Sequence, residues 1–247
     1  MTVIHEKSYR GLGLAQLVHR SRLRRILRLV DDLDLSARGS LADVGCSNGF
    51  VLSQLKEHVL SGKDYALFGF DHSDELLRGA RNKNIDGASF HRLDLNEINT
   101  SWRSRFDVIT CFETLEHVGN YRHAMQNIVA MCRPHGMIVL SIPNERGVPG
   151  LLKYVARKLL RKEAYGEFFA RQSEWDYVRR LLFNLPIDSF RSEDASGWGP
   201  HLGFDWTVFR EHLERDYFQP QKLRLISEQS SFMNFNLFYV MTKLDAD

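Results

Sequence analysis

Residues 41–50 read LADVGCSNGF: a short apolar run, an aspartate, and two glycines four positions apart. The pattern predicts a strand over Leu41–Val44, a tight turn, and a helix from about Phe50 to His58. Glycine in the turn accepts positive φ and lets a bound molecule approach the backbone. Working outward, YALFGFD (65–71) predicts a second strand ending on a carboxylate, and Ser73 with the acidic residues after it starts a helix. ASFHRLD, ending at Asp94, and FDVITCF (106–112) predict two more strands. A helix follows over about Tyr121–Cys132, then a turn at Arg133–Gly136 (RPHG) and a fifth strand, MIVLSIP. Strands alternating with helices imply right-handed crossovers and a mostly parallel sheet covered on both faces. KLRLIS and FNLFYVMTK, close together after a helix near Thr207–Asp216, predict a hairpin on the sheet edge.

The expected organisation is a helical lead-in over 1–40, a main domain over 41–146 and 205–247, and a cap insertion over 147–204, where the alternation stops. The lead-in helix LVHRSRLRRILRLV (17–30) spaces its arginines so that they read as a solvated face. Across 247 residues, 43% hydrophobic and 26% charged content is ordinary for a globular protein, and a net charge of +2 is too small to indicate nucleic acid. Three scattered cysteines, Cys46, Cys111 and Cys132, form no CxxC pair, which argues against a disulfide framework or a zinc site. No secretory leader or membrane-spanning run is visible, so a cytoplasmic location is expected.

Ligands of open α/β sheets sit outside the carboxyl ends of the strands, here Asp43–Gly49, Asp71, Asp94 and Cys111–Glu113. A dinucleotide site calls for GxGxxG; this chain has Gly45 and Gly49 with Ser47 between them and Asp43 beside the turn. A phosphate-poor cofactor carrying positive charge fits better than a nicotinamide dinucleotide.

At this point the chain resembles the class I S-adenosylmethionine (SAM)-dependent methyltransferases. DVGCSNG (43–49) is similar to their first motif, Asp71 to the acidic end of their second strand, and LDLN (93–96) to the segment flanking the adenine. FDVITCFETLEHV (106–118) resembles the fourth-strand motif of the ubiquinone-biosynthesis-like branch. MCRPHGMIVLSIPN completes the pattern, with His135 where a second glycine is more usual. The resemblance covers 41–143 well and 201–242 loosely. It implies a Rossmann-like, doubly wound α/β fold with a seven-stranded, mostly parallel sheet, an antiparallel C-terminal edge hairpin and a helical cap insertion. It also implies roles. Asp71 accepts from the ribose hydroxyls, the Gly45–Ser47–Gly49 backbone approaches the methionine, and Asp43 holds its ammonium. Asp94 accepts from the adenine amino group, Leu95 and His72 pack beside the ring, and Cys46 and Cys111 pack near the cofactor.

Methyl transfer to a hydroxyl needs a base or a metal for the acceptor's proton. Glu113, Glu116 and His117 stand at i, i+3 and i+4, on one side of the chain if FETLEHV coils into a helical turn. His117 is the candidate base, with Glu116 beside it. In ubiquinone-type and small-RNA 2′-O-methyltransferases a similar Glu…Glu-His group holds a divalent metal such as magnesium with a further downstream histidine. Here Glu113, Glu116, His117 and His201 are the candidates, although HLGFDWTVF (201–209) places Phe204 where the quinone-type enzymes carry histidine.

LLKYVARKLLRK (151–162) sets its leucines and Val155 on one face and five basic residues largely on the other. It reads as a cap helix with a solvated basic face, or as a peripheral contact with an anionic membrane. FFARQSEWDYVRRLLF (168–183) supplies aromatics for an acceptor pocket or a helix core. The expected activity is O-methylation of a small-molecule, saccharide or lipid-linked acceptor. The alternatives are 2′-O-methylation of an RNA end and a catalytically silent SAM-binding subunit. DNA is not expected as a partner, and the balanced charge argues against RNA.

Overall fold

A computed structural model describes residues 14–160, 173–191, 197–199, 202–231 and 234–245. Helix α1 (Leu14–Asp31) leads into β1 (Arg38–Val44), α2 (Phe50–His58), β2 (Asp64–Asp71), α3 (Asp74–Arg81) and β3 (Ala88–Arg92). Then follow β4 (Phe106–Phe112), α4 (Tyr121–Met131), β5 (Cys132–Pro143), α5 (Gly147–Leu160) and α6 (Glu174–Leu182). Helix α7 (Trp206–Leu213), β6 (Leu223–Ser230) and β7 (Asn236–Lys243) complete the chain. The strands form one seven-stranded sheet in the order β3-β2-β1-β4-β5-β7-β6. The first five run parallel, and β7 enters antiparallel between β5 and β6, so the C-terminal hairpin closes the edge.

Side chains of a strand alternate between its faces, and the alternation divides the core in two. Val44, Tyr239 and Met241 pack with Met125 and Ile128 of α4 and Phe209 of α7. Leu41, Phe238 and Val240 pack on the opposite face with Ile26 and Val30 of α1, Leu52 of α2 and Leu77 of α3. The expected turn at Arg133–Gly136 lies inside β5. Phe106 pairs with Cys132 and Val108 already pairs with Met137, so these residues bulge out of a continuous ladder, with His135 at φ 60°.

The cap carries a small core of its own: Tyr154 of α5, Tyr177 and Leu181 of α6, Ile187, Phe190 and Leu202. Tyr177 is therefore a core residue, whereas Trp175 is 83% exposed; the aromatics at 168–169 lie outside the described residues. Helix α5 departs in part from the solvated-basic-face expectation: Lys158 is exposed and Leu151 packs on the cap core, but the other described residues differ, and 161–162 lie outside the described residues. Lys153 and Arg157 turn inward to the buried carboxylate of Glu145, Arg157 with both guanidinium nitrogens at 2.8 Å. Val148, Leu152, Val155 and Leu159 face outward, Leu159 at 76% exposure. Glu145, just past the end of β5, supplies the counter-charge that decides which face goes in. Among the described residues no helix is long and apolar enough to cross a membrane.

Removing one partner of a buried ion pair strands the other charge. Glu145→Ala should therefore cost about 3 kcal/mol in urea unfolding; a loss under about 1 kcal/mol would show that the contact does not hold the cap helix.

Candidate active site

The carboxyl ends of β1, β2 and β4 converge on two adjoining cavities of about 280 and 50 Å³ that share Gly45, Ser47 and Glu113 in their walls. The turn after β1 is tied to β2: the Phe70 carbonyl accepts from the amides of Gly45 (2.7 Å) and Cys46 (2.8 Å). Gly45 sits at φ 80°, and a Cβ there would lie 2.1 Å from Thr114 Oγ1, so both conformation and space demand glycine. Asp71 completes the tie, Oδ2 accepting from the Ser47 amide and Oδ1 from the Ser73 amide, each at 2.9 Å. The carboxylate lines the larger cavity with lone pairs still to offer.

The other expected residues divide into two groups. His72 and Leu95 line the larger cavity with Phe70 and Leu93; Asp43 and Cys46 line the smaller one. Gly49, Asp94, Cys111 and Glu116 are not in either wall. Gly49, at φ 73°, serves as the N-cap position of α2. Asp94 Oδ1 accepts from the amide of Asn96 at 2.9 Å, and Cys111 is fully buried in the sheet core. Burial holds the thiols of Cys46 and Cys111 well above the usual cysteine range, and that of Cys132 is pushed up to about 12, so all three are packing residues.

FETLEHV forms a turn rather than a helix, and its three polar residues part company. Glu113, at φ 50°, is held from several sides. Oε2 accepts from Arg22 of α1 at 2.9 Å, Oε1 from Ser141 Oγ of β5, and both oxygens from Asn236 Nδ2 of β7. Glu116 is 1% exposed, and burial, reinforced by the Glu113 charge, raises its pKa well above the carboxylate range, so it is a neutral acid beneath the site. His117 lines the larger cavity, and its Nδ1–H donates to the Gly199 carbonyl at 2.9 Å. A carbonyl only accepts, so the neutral ring carries its basic lone pair on Nε2. Burial lowers the His117 pKa and favours that neutral form.

Little of this donor set is offered to a divalent metal: the Glu113 carboxylate pairs with Arg22 and accepts from Ser141 and Asn236, and Glu116 lies in neither cavity wall. His201 lies outside the described residues, and among those described no group of three His, Cys, Asp or Glu side chains could hold an ion. Arg22 is the site residue that sequence reasoning missed. Its side chain is 12% exposed, in the wall of the smaller cavity, unlike the solvated face expected of the α1 arginines.

The remaining walls suit SAM. The smaller cavity joins a carboxyl group, Asp43, to a cation, Arg22, the pairing that an amino-acid ammonium and carboxylate require. Ser47 Oγ and Asn48 Oδ1, buried in the same wall, have no hydrogen-bond partner among the described residues. Burial, opposed by the 2.7 Å bond from Thr110 Oγ1 and aided by the Asp71 charge, raises the Asp43 pKa to about 7. A carboxyl raised in the folded state binds more protons than in the unfolded chain between about pH 4 and 7, so its share of stability falls as pH climbs through that window. Asp43→Asn keeps the Thr110 bond and should abolish that fall, on the order of 4 kcal/mol across the window. Urea unfolding of the ligand-free protein at both ends of the window checks it, and parallel pH profiles of the two proteins would refute the assignment.

The family described as "Methyltransferase domain" matches residues 17–232. The ubiquinone biosynthesis O-methyltransferase of Coxiella burnetii is 33% identical over 108 residues, 41% of this chain and 42% of that one. The chain thus aligns with less than half the length of the first curated relatives it matches. The protein of the same name from Rickettsia bellii is 26% identical over 187 residues, 72% of each chain. Among solved structures, magnesium protoporphyrin IX methyltransferase from Synechocystis, with bound S-adenosylhomocysteine (SAH), superposes with a TM-score of 0.61 at 12% identity. That superposition covers 97% of this chain and 92% of the other, a likeness of fold. The glycine turn, the Asp71 tie and the sheet order thus agree with a family match across most of the chain: the protein belongs to the methyltransferase-domain family and has the class I SAM-dependent methyltransferase fold.

Proposed function

We propose that the protein transfers the methyl group of SAM to an oxygen of a small-molecule, saccharide or lipid-linked acceptor. The observation that carries this reading is the paired cavity, with Asp71 at one end and the Asp43–Arg22 couple at the other. Asp71 accepts from the ribose hydroxyls, Leu93 and Leu95 pack beside the adenine, Asp43 takes the ammonium and Arg22 the carboxylate. Asp94, turned toward Asn96, is not needed for this set. SAM, when bound, supplies an electrophilic methyl on a sulfonium that leaves as a neutral thioether. His117 Nε2 takes the acceptor proton, its ring fixed by the Nδ1–Gly199 bond. Orientation supplies much of the remaining rate, roughly 7–11 kcal/mol for well-aligned reactants.

The relatives named for ubiquinone biosynthesis favour oxygen as the accepting atom. The exposed apolar residues of helix α5 favour an acceptor held at a lipid surface, with Trp175 exposed on its neighbour α6. A peripheral contact through residues 151–160 is part of the reading.

Two experiments test it. Asp71→Ala removes two charge-assisted hydrogen bonds to the ribose and should weaken SAH binding at least about 100-fold in calorimetry; unchanged affinity would remove the cofactor assignment. Labelled SAM offered to fractionated cell extract should place label in the organic or saccharide fraction, unaffected by a chelator. Label in RNA would overturn the acceptor class, chelator sensitivity would overturn the metal-free account of His117, and SAH binding without any transfer would mark a silent subunit.

A further inference from the structure

Residues 197–199 join the two halves of the site. The Gly119 amide donates to the Gly197 carbonyl at 2.7 Å, Val118 pairs with Trp198 as an antiparallel bridge, and the Gly199 amide donates to the His117 carbonyl at 2.9 Å. The Gly199 carbonyl in turn accepts from His117 Nδ1, so one residue grips both the backbone and the ring of the candidate base. The neighbouring side chain reaches the other way. The Trp198 indole stacks on the His72 imidazole with centroids 3.8 Å apart and an interplanar angle of 18°. His72 Nδ1 lies 3.4 Å from Asp71 Oδ1, and Asp71, His72, Trp198, Gly199 and His117 all border the larger cavity.

We propose that this strap couples the two substrates: Trp198 is a positioning residue that reads the presence of the cofactor beside Asp71 and, through the Gly199 carbonyl, sets the tautomer and orientation of His117. The coupling rests on the cofactor assignment above. An adenosine seated against Asp71 meets the His72–Trp198 stack and restricts the indole. The residue after Trp198 carries the carbonyl that His117 donates to, and the Val118–Trp198 bridge and the Gly199 amide bond tie both residues to the backbone around His117, so restricting the indole restricts the residue beside it. The charged groups acting on His117 are Glu113 from the site floor, and Arg191 and Arg157 from the cap segment. None of them supplies the acceptor for Nδ1–H. The ligand-free structure already holds His117 on the Gly199 carbonyl and Trp198 on His72, so the cofactor adds to an alignment in place by narrowing the motion of the indole and of the residue after it.

The test needs no acceptor. In protein labelled with ¹⁵N-histidine, the His117 ring signals, assigned by their loss in His117→Asn, are followed in mildly alkaline buffer as SAH is added. In the wild type they should report the Nδ1–H tautomer before SAH is added and sharpen as it binds, and the Trp198 share of the fluorescence, defined by Trp198→Phe, should change in parallel. Trp198→Ala should bind SAH about tenfold more weakly, the scale of losing one aromatic stack under a base, and at saturation its His117 signals should not sharpen. His72→Ala, which removes the other half of the stack, should behave alike, and Trp198→Phe should restore most of the response. An unaltered His117 response in both alanine variants, or none in SAH-saturated wild type, would overturn the coupling while leaving the cofactor assignment intact. Failure of the wild type to bind SAH at all would remove both.

Discussion

The carboxylate of Glu113 ties three distant parts of the chain to one point. It stands just past β4 in a left-handed conformation that a non-glycine residue adopts only when its surroundings over-determine it. Here they do: α1 reaches it through Arg22, β5 through Ser141 and β7 through Asn236. A buried carboxylate is tolerable when a cation and further hydrogen bonds replace its water, so the lead-in helix is required by the site it closes. Burial, reinforced by the same charge, raises the pKa of Glu116, while His117 faces the cavity. An arginine from a distant part of the chain stands beside one of the two carboxylates whose closeness suggested a cation.

Much of this architecture was legible in the residues. The helix over Phe50–His58 and the strand over Phe106–Phe112 lie where the apolar spacing predicts them, because each depends on local conformation and on a period of 3.6 or 2. The glycine turn was legible for the same reason, since positive φ is a local demand. What could not be read shares one physical character. Arg22 meets Glu113 across 91 positions, and no local pattern distinguishes it from the other arginines of its helix. Trp198 sits in a Gly/Ser-rich stretch whose importance comes only from what it lies against. Helix α5 shows the limit of amphipathicity most plainly. Periodicity revealed its two faces, but which face is buried was decided by the carboxylate of Glu145 beneath it.

The site also divides its labour. The cofactor end is built from backbone turns and strand-end carboxylates that the sheet positions rigidly, with Asp71 spanning the turn after β1 and the start of α3. The other end, proposed for the acceptor, is built from His117 and the segment that crosses it.

The cap's small private core has a consequence for how such a chain can change over generations. Tyr154, Tyr177, Leu181 and Phe190 bury one another rather than the sheet. Polar handles moor the cap to the body, among them Glu145 with Arg157 and the Asp205 carboxylate with the Ile187 amide. A unit that satisfies its own apolar residues and hangs from polar moorings can drift in sequence, lengthen or be exchanged between lineages without disturbing the strands beneath. The sheet beneath then stands still while the cap changes.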